Sequence, residues 1–207
     1  MLYIDDDLVV VDKPAGVLAV PAPGRGGKAL VDLLATQLGR RVFAVHRLDE
    51  ETTGCIAFAL DDGVREALER TFRTHAAERT YLALLSAVPS PESGRIEANL
   101  KEAAGGVMQV VRAGGQRAVT HYRTLSRRGR CCLVECRLDT GRRNQIRVHM
   151  AALGCPLAGD RKYGFRARNG ENFSRVMLHS WRLSFAHPVT AAAIDILCEP
   201  AEQELRP

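Results

Sequence analysis

The sequence predicts two packed layers of mixed helix and strand, because early strand-like runs alternate with amphipathic helical patterns and a long series of strands follows. Three observations carry this. Val64, Leu68 and Phe72 recur every four residues, the mark of a helix with one apolar face. From Thr80 onward strand-like runs separated by glycine turns dominate, which predicts a mainly antiparallel stretch. A strand, a glycine turn and a basic helix then stand in a row. No internal repeat or low-complexity segment interrupts the chain.

In order, Leu8 to Val11 is an apolar run closed by Asp12-Lys13-Pro14-Ala15-Gly16, so it reads as a buried strand entering a turn. Pro21 to Gly27 is a Gly- and Pro-rich flexible loop. Leu30, Leu33, Leu34 and Leu38 then fall on one helical face that stops at Gly39. VFAV and CIAFAL are strand-like, and Asp61 or Asp62 caps the helix of Val64, Leu68 and Phe72. TYLALL, RIEANL, VMQVV, AVTHYRTL and CCLVECRL supply the antiparallel series, with a Gly-Gly between the second and third. RRNQIRVHMAAL carries Ile146, Met150 and Leu153 at helical spacing, and the tail holds two strands split by Pro188.

With 207 residues, 46% hydrophobic and 26% charged, this is an ordinary globular chain able to bury a sizeable core. The net charge of +5, with 29 Lys and Arg against 24 Asp and Glu, points modestly to a polyanionic partner. Arg far outnumbers Lys, which favours forked contacts to phosphate and base edges. The six cysteines form no CxxC pair and have no His at metal-ligand spacing, so they read as small buried apolar residues. The N-terminus MLYIDDDLVV lacks the pattern of a signal peptide, and no stretch is apolar for long enough to span a bilayer. A reduced, cytoplasmic setting is the expectation.

The run Val45-His46-Arg47-Leu48-Asp49-Glu50-Glu51-Thr52-Thr53-Gly54 places a carboxylate in a turn between two buried strands. Strand ends deliver side chains to clefts, and an unpaired buried charge is too costly to keep, so Asp49 is the first candidate for chemistry. The bland alternative is an Asp that caps its own turn through the amides near Thr52 and Thr53. A second constellation, Thr140-Gly141-Arg142-Arg143-Asn144-Gln145-Ile146-Arg147-Val148-His149-Met150, puts four Arg or His side chains within eight residues at the start of a helix. Arg143 and Arg147 would lie one turn apart, and free amides with flanking arginines suit phosphate or a protein carboxylate. A solvated basic face is the competing explanation. The third piece is Arg79-Thr80-Tyr81-Leu82-Ala83, where the tyrosine alone would read as core.

Together these pieces and their flanks, from about Tyr3 to Thr190, resemble the RluA family of RNA pseudouridine synthases. HRLDEETTG matches the family's central motif, with Thr53 where Ser is common, and TGRRNQIRVH followed by LGCPLAGDRKYG matches its downstream motif. LVVVDKPAGVL, YLAL and LHSWRLSFAHP also look like family segments. Arg143-Asn144 departs from the small hydroxyl residue and His found in many relatives.

The resemblance implies an α+β fold with a long mixed, largely antiparallel sheet, flanking helices, a central RNA-binding cleft and no cofactor or metal. It implies a single catalytic domain over residues 1–207, which begins inside the first strand and leaves no room for an S4-type module. The implied reaction isomerises a uridine of ribosomal or transfer RNA to pseudouridine, with no required protein partner and a monomeric enzyme. By resemblance Asp49 is the catalytic carboxylate, Arg147 its ion-pair partner and Tyr81 the ring that stacks on uracil. Arg47 fills the space of the flipped base, and Arg142, Arg143, Asn144, Arg161 and Lys162 contact RNA. One Asp suffices because the leaving uracil is never released to water, unlike in glycoside hydrolysis with its paired carboxylic acids. Two other classes fit less well. A catalytically dead RNA-binding module has no reason to keep Asp49, Tyr81 and Arg147 together, and a nucleoside hydrolase needs a second acid or a metal.

Overall fold

The computed structural model describes residues 1–24, 26–168 and 171–206, so Arg25 in the expected Pro21–Gly27 loop lies outside the described residues. The elements are β1 (Tyr3–Ile4), β2 (Leu8–Lys13), α1 (Leu30–Leu38), β3 (Phe43–Ala44), β4 (Thr53–Ala59), α2 (Asp62–Arg73), β5 (Glu78–Leu85), β6 (Ser93–Glu102), β7 (Met108–Val111), β8 (Gln116–Arg128), β9 (Cys131–Leu138), α3 (Gln145–Ala152), β10 (Leu178–Ala186) and β11 (Ala193–Leu197). The architecture is α+β. The chain forms two compact units, one of residues 1–79 with 180–199, the other of 80–179 with the residues from Pro200 onward.

In the first unit the strands run β1-β2-β4-β10, with β3 also on β4 and β11 also on β10. β2 and β4 are antiparallel, Val10 opposite Ala57 and Lys13 opposite Gly54. Both are buried along most of their length, which is why each reads as a continuous apolar run rather than an alternating one. Gly54 has φ +101°, and a Cβ there would lie 2.2 Å from the Ser180 carbonyl oxygen, so only glycine fits. Asp61 caps α2 by accepting from the amides of Gly63 (2.8 Å) and Val64 (3.4 Å). Val64, Leu68 and Phe72 bury the expected face against Leu8, Val10, Ala57 and Phe185. Each such side chain contributes about 1.5–3 kcal/mol. α1 ends as expected at Gly39 in the left-handed conformation. Its buried stripe is narrower than the sequence suggests: Leu30 and Leu34 face inward, whereas Leu33 is 43% exposed.

In the second unit the strands run β5-β9-β8-β6-β7, and all four pairings are antiparallel as expected. One lateral row reads Tyr81, Cys136, Tyr122, Gly94 across β5, β9, β8 and β6. A Cβ on Gly94 would stand 3.1–3.3 Å from the Tyr122 ring, so the glycine makes room for that ring. α3 packs Val148 against Leu100, Met108 and Ala118. The helix starts later than the sequence suggests, because Asn144 at φ 53° is left-handed and cannot continue it backward. Arg143 therefore lies outside the helix and does not share a helical face with Arg147, and Leu153 is the exposed residue just past its end.

Candidate functional site

In the first unit the Asp49 turn is built by side chains from two neighbouring segments. The Thr52 amide donates to the Asp49 backbone carbonyl at 3.1 Å, so main chain closes the turn there. Lys13, 0% exposed, enters from the end of β2. Its Nζ donates to the carbonyls of Pro14 (2.8 Å), Val17 (2.7 Å) and Glu50 (2.8 Å), and the Gly16 amide adds a bond to Glu50 O at 3.0 Å. A buried ammonium is tolerable when carbonyls take all three of its protons. The DKPAG turn thus grips the residue next to Asp49.

His46 holds the other side. β3 ends at Ala44, and where its ladder stops the His46 ring takes over: Nε2 accepts from the Ala57 amide of β4 at 2.9 Å. The ring stacks on Phe72 with centroids 4.0 Å apart. Burial, followed by the charge of Arg79, pushes its pKa down to about 3, so it is a neutral acceptor with its proton on Nδ1. Asp49 itself is half-buried and Arg47 is exposed.

In the second unit Tyr81 sits on β5, largely buried, with its backbone opposite Cys136. The TGRRNQIRVH segment is fixed to β8 by a buried polar network centred on Gln145. Thr140 Oγ1 donates to Gln145 Oε1 (2.7 Å), which also accepts from the Arg142 amide (3.0 Å). Gln145 Nε2 donates to Val119 O (2.9 Å) and Thr120 Oγ1 (3.0 Å), and Thr120 Oγ1 lies 3.0 Å from His149 Nδ1. His149 is fully buried, and burial lowers its pKa to about 4, so it brings no charge at neutral pH. Expectation placed it among the basic groups of an anion site; the structure makes it part of the packing.

Arg147 is buried and forms a fork with Asp160, Nε to Oδ2 at 2.7 Å and Nη2 to Oδ1 at 2.9 Å. Its guanidinium lies over the Tyr163 ring, 5.1 Å from the centroid. Asp160 is 0% exposed and also accepts from the Tyr163 amide at 3.3 Å. Tyr163 Oη accepts from Asn144 Nδ2 (2.9 Å) and the Met108 amide (3.0 Å). Asn144, expected to face RNA, is thus buried with its amide engaged by Tyr163. Arg143 pairs with Glu102 at 2.6 Å on the surface, Arg142 Nε donates to Arg117 O, and Arg161 and Lys162 are exposed.

Asp160, Tyr163, Gln145, Thr120, Lys13 and His46 were not singled out from the sequence. The one available signal was an isolated acid heading the basic run DRKYGFRAR. Among the described residues one group, Asp5, Asp7 and His187, brings possible metal-ligating atoms within 4.8 Å of one another. His187 Nδ1 accepts from the amides of Val189 and Thr190, both at 3.1 Å, which puts the ring proton on Nε2, where it is donated to Asp5 at 3.0 Å. That tautomer has no lone pair to offer a metal between the two aspartates, so the cluster is a hydrogen-bonded staple between β1 and the β10–β11 turn. No helix among the described residues is long and apolar enough to cross a membrane.

A model of the family described as RNA pseudouridylate synthase matches residues 7–152, a span that holds Asp49, Tyr81 and Arg147. The chain belongs to this family. It is 34% identical over 225 residues to the ribosomal large subunit pseudouridine synthase D of Zymomonas mobilis, covering 99% of this chain and 70% of that protein. It is 37% identical over 202 residues to the uncharacterized RNA pseudouridine synthase YlyB of Bacillus subtilis, covering 93% of this chain and 66% of that one. Among solved structures, human RNA pseudouridylate synthase domain containing 4 superposes with a TM-score of 0.79 at 28% identity, over 97% of this chain and 88% of the human one. The pseudouridine synthase fold and the RluA-type reading of the motifs both hold. The protein is an RNA pseudouridine synthase, an isomerase that converts uridine in RNA to pseudouridine.

Proposed function

We propose that this chain modifies one specific uridine of ribosomal or transfer RNA, with Asp49 as its catalytic carboxylate. The observation that carries the assignment is the build of the Asp49 turn. Main chain closes it at Thr52, while a buried lysine and a neutral histidine hold its flanks, an investment of buried polar groups that a plain surface turn does not need. The carboxylate attacks the sugar carbon or the uracil ring, or stabilises cationic character as the C–N bond breaks. Arg147 is its ion-pair partner, supplying the countercharge to the carboxylate. Tyr81 stacks on the uracil, and its hydroxyl serves the final proton transfer.

The target base must leave its helix, at a cost of a few kcal/mol, and Arg47, exposed beside Asp49, fills the vacated space. Arg142, Arg143, Arg161 and Lys162 contact the RNA backbone. The name of the Zymomonas relative favours large-subunit ribosomal RNA as the substrate. The enzyme works as a monomer without a required protein partner, in the cytoplasm, where its six buried thiols stay reduced.

Asp49→Asn tests the assignment, since it removes one charge at constant shape. Isomerisation of an unmodified ribosomal RNA transcript should be abolished while fold and most RNA affinity persist; substantial turnover by the folded variant refutes it. Mapping pseudouridines in cells with and without the gene identifies the position.

A further inference from the structure

An arginine that must serve a carboxylate while a polyanion binds around it faces a competition problem. The forked Nε–Nη2 edge of a guanidinium matches a phosphate as well as it matches a carboxylate, and RNA offers a phosphate at every nucleotide. In this protein that edge of Arg147 is closed by Asp160 through two bonds of 2.7 and 2.9 Å, and Asp160 is 0% exposed. The flat face of the guanidinium is covered by Tyr163, whose hydroxyl is tied to Asn144 and to the Met108 amide of β7. Asn144 Oδ1 stands a further 3.5 Å from Nη1. The guanidinium is therefore fixed in rotation and in plane.

We infer that Asp160 is a positioning residue that reserves Arg147 for the reacting carboxylate by denying its forked edge to RNA phosphate. This rests on the reading of Arg147 as the partner of Asp49. A buried ion pair is poor evidence of stability as such, because its desolvation offsets most of its attraction and an apolar pair of similar volume is often as stable. Holding one orientation against a competing anion is what an apolar pair cannot do.

Asp160→Asn keeps the shape and removes the charge that outcompetes phosphate. Binding of an unmodified large-subunit ribosomal RNA transcript should become more salt-dependent, the log-log slope steepening by roughly 0.7 as one phosphate contact is gained. Turnover should fall at least tenfold without a rise in KM. An unchanged slope overturns the inference, whether kcat stays the same or falls only in step with the folded fraction. If Asp160→Asn does not fold, the Arg147 Nε–H in the native protein is read by nitrogen-edited NMR. Its protection from solvent exchange should be the same with and without RNA, and loss of protection on RNA binding overturns the inference. Arg147→Ala separates this from the underlying assignment: full turnover there refutes Arg147 as the carboxylate's partner. Loss of turnover there, beside an Asp160→Asn enzyme with native kcat and slope, refutes the role of Asp160 alone.

Discussion

Replacing Lys13 by Met should damage both stability and catalysis, and the structure sets the size of each effect. Met fills the apolar channel of the lysine stem but leaves the carbonyls of Pro14, Val17 and Glu50 without the ammonium. Glu50 O keeps the Gly16 amide at 3.0 Å, so the loss falls on the other two, of which Pro14 is exposed and Val17 half-buried. An orphaned acceptor costs about 1–3 kcal/mol when buried, and water reaching these two brings the combined loss to about 1–3 kcal/mol. A domain has about 5–15 kcal/mol in hand, so the variant should fold at low temperature with a visibly reduced urea midpoint. The catalytic effect comes through Glu50, because loosening its carbonyl frees the turn that carries Asp49. A displacement of about 1 Å at a reacting group costs on the order of a hundredfold in rate. Urea unfolding and single-turnover isomerisation on the same preparation check both. Native kcat in a clearly destabilised variant would show that the clamp serves folding only, and native stability would refute the hydrogen-bond reasoning itself.

Acid should weaken the fold through two histidines, His149, which is fully buried, and His46, which is half-buried. His46 and His149 have pKa values of about 3 and about 4 when folded, below the ordinary 6.5. Their contribution is complete above pH 6.5 and is lost as pH falls toward those values, since only the unfolded chain takes up the protons. Each contributes a slope of about 1.4 kcal/mol per pH unit in that window, and His149→Gln should remove about half of the combined slope in urea titrations between pH 6 and 4; an unchanged slope refutes the assignment. Tyr81→Phe should keep RNA affinity and lose turnover, whereas Tyr81→Ala should lose both; full activity in the Phe variant removes the hydroxyl from the chemistry.

The elements legible in the sequence are those whose identity depends on side-chain period. Val64, Leu68 and Phe72 announce α2, and Asp61 announces its start, because both signals are local. The beginning of α3 was not legible, since the left-handed Asn144 is a backbone conformation that its neighbours do not dictate. Leu33 satisfies helical spacing but lies at the rim of its stripe, where burial depends on what packs opposite. At the proposed site, Asp49 stands out in the sequence because a carboxylate between two buried strands is conspicuous. Lys13 was passed over because lysine is almost never fully buried. Asp160 looks like a turn cap, and it does cap the short turn that follows it, yet its larger role needs an arginine thirteen residues earlier in the chain.

The chemistry explains why so many polar residues of the two motifs face inward. In the mechanism proposed above, isomerising a uridine uses one carboxylate, a flat ring and a countercharge. With so few reacting groups, rate depends on how well each is held, and a polar side chain gives a fixed direction that apolar packing does not. Gln145 shows the point: its amide uses both ends, accepting from Thr140 and Arg142 and donating to Val119 and Thr120, so the first turn of α3 has one register on β8. Arg147 stands two residues further on in that turn. A glutamate at 145 would lose both donors and face the Val119 carbonyl with a charge, and an alanine would leave Thr140 and Val119 each short of a partner, so neither could hold Arg147 in the same place.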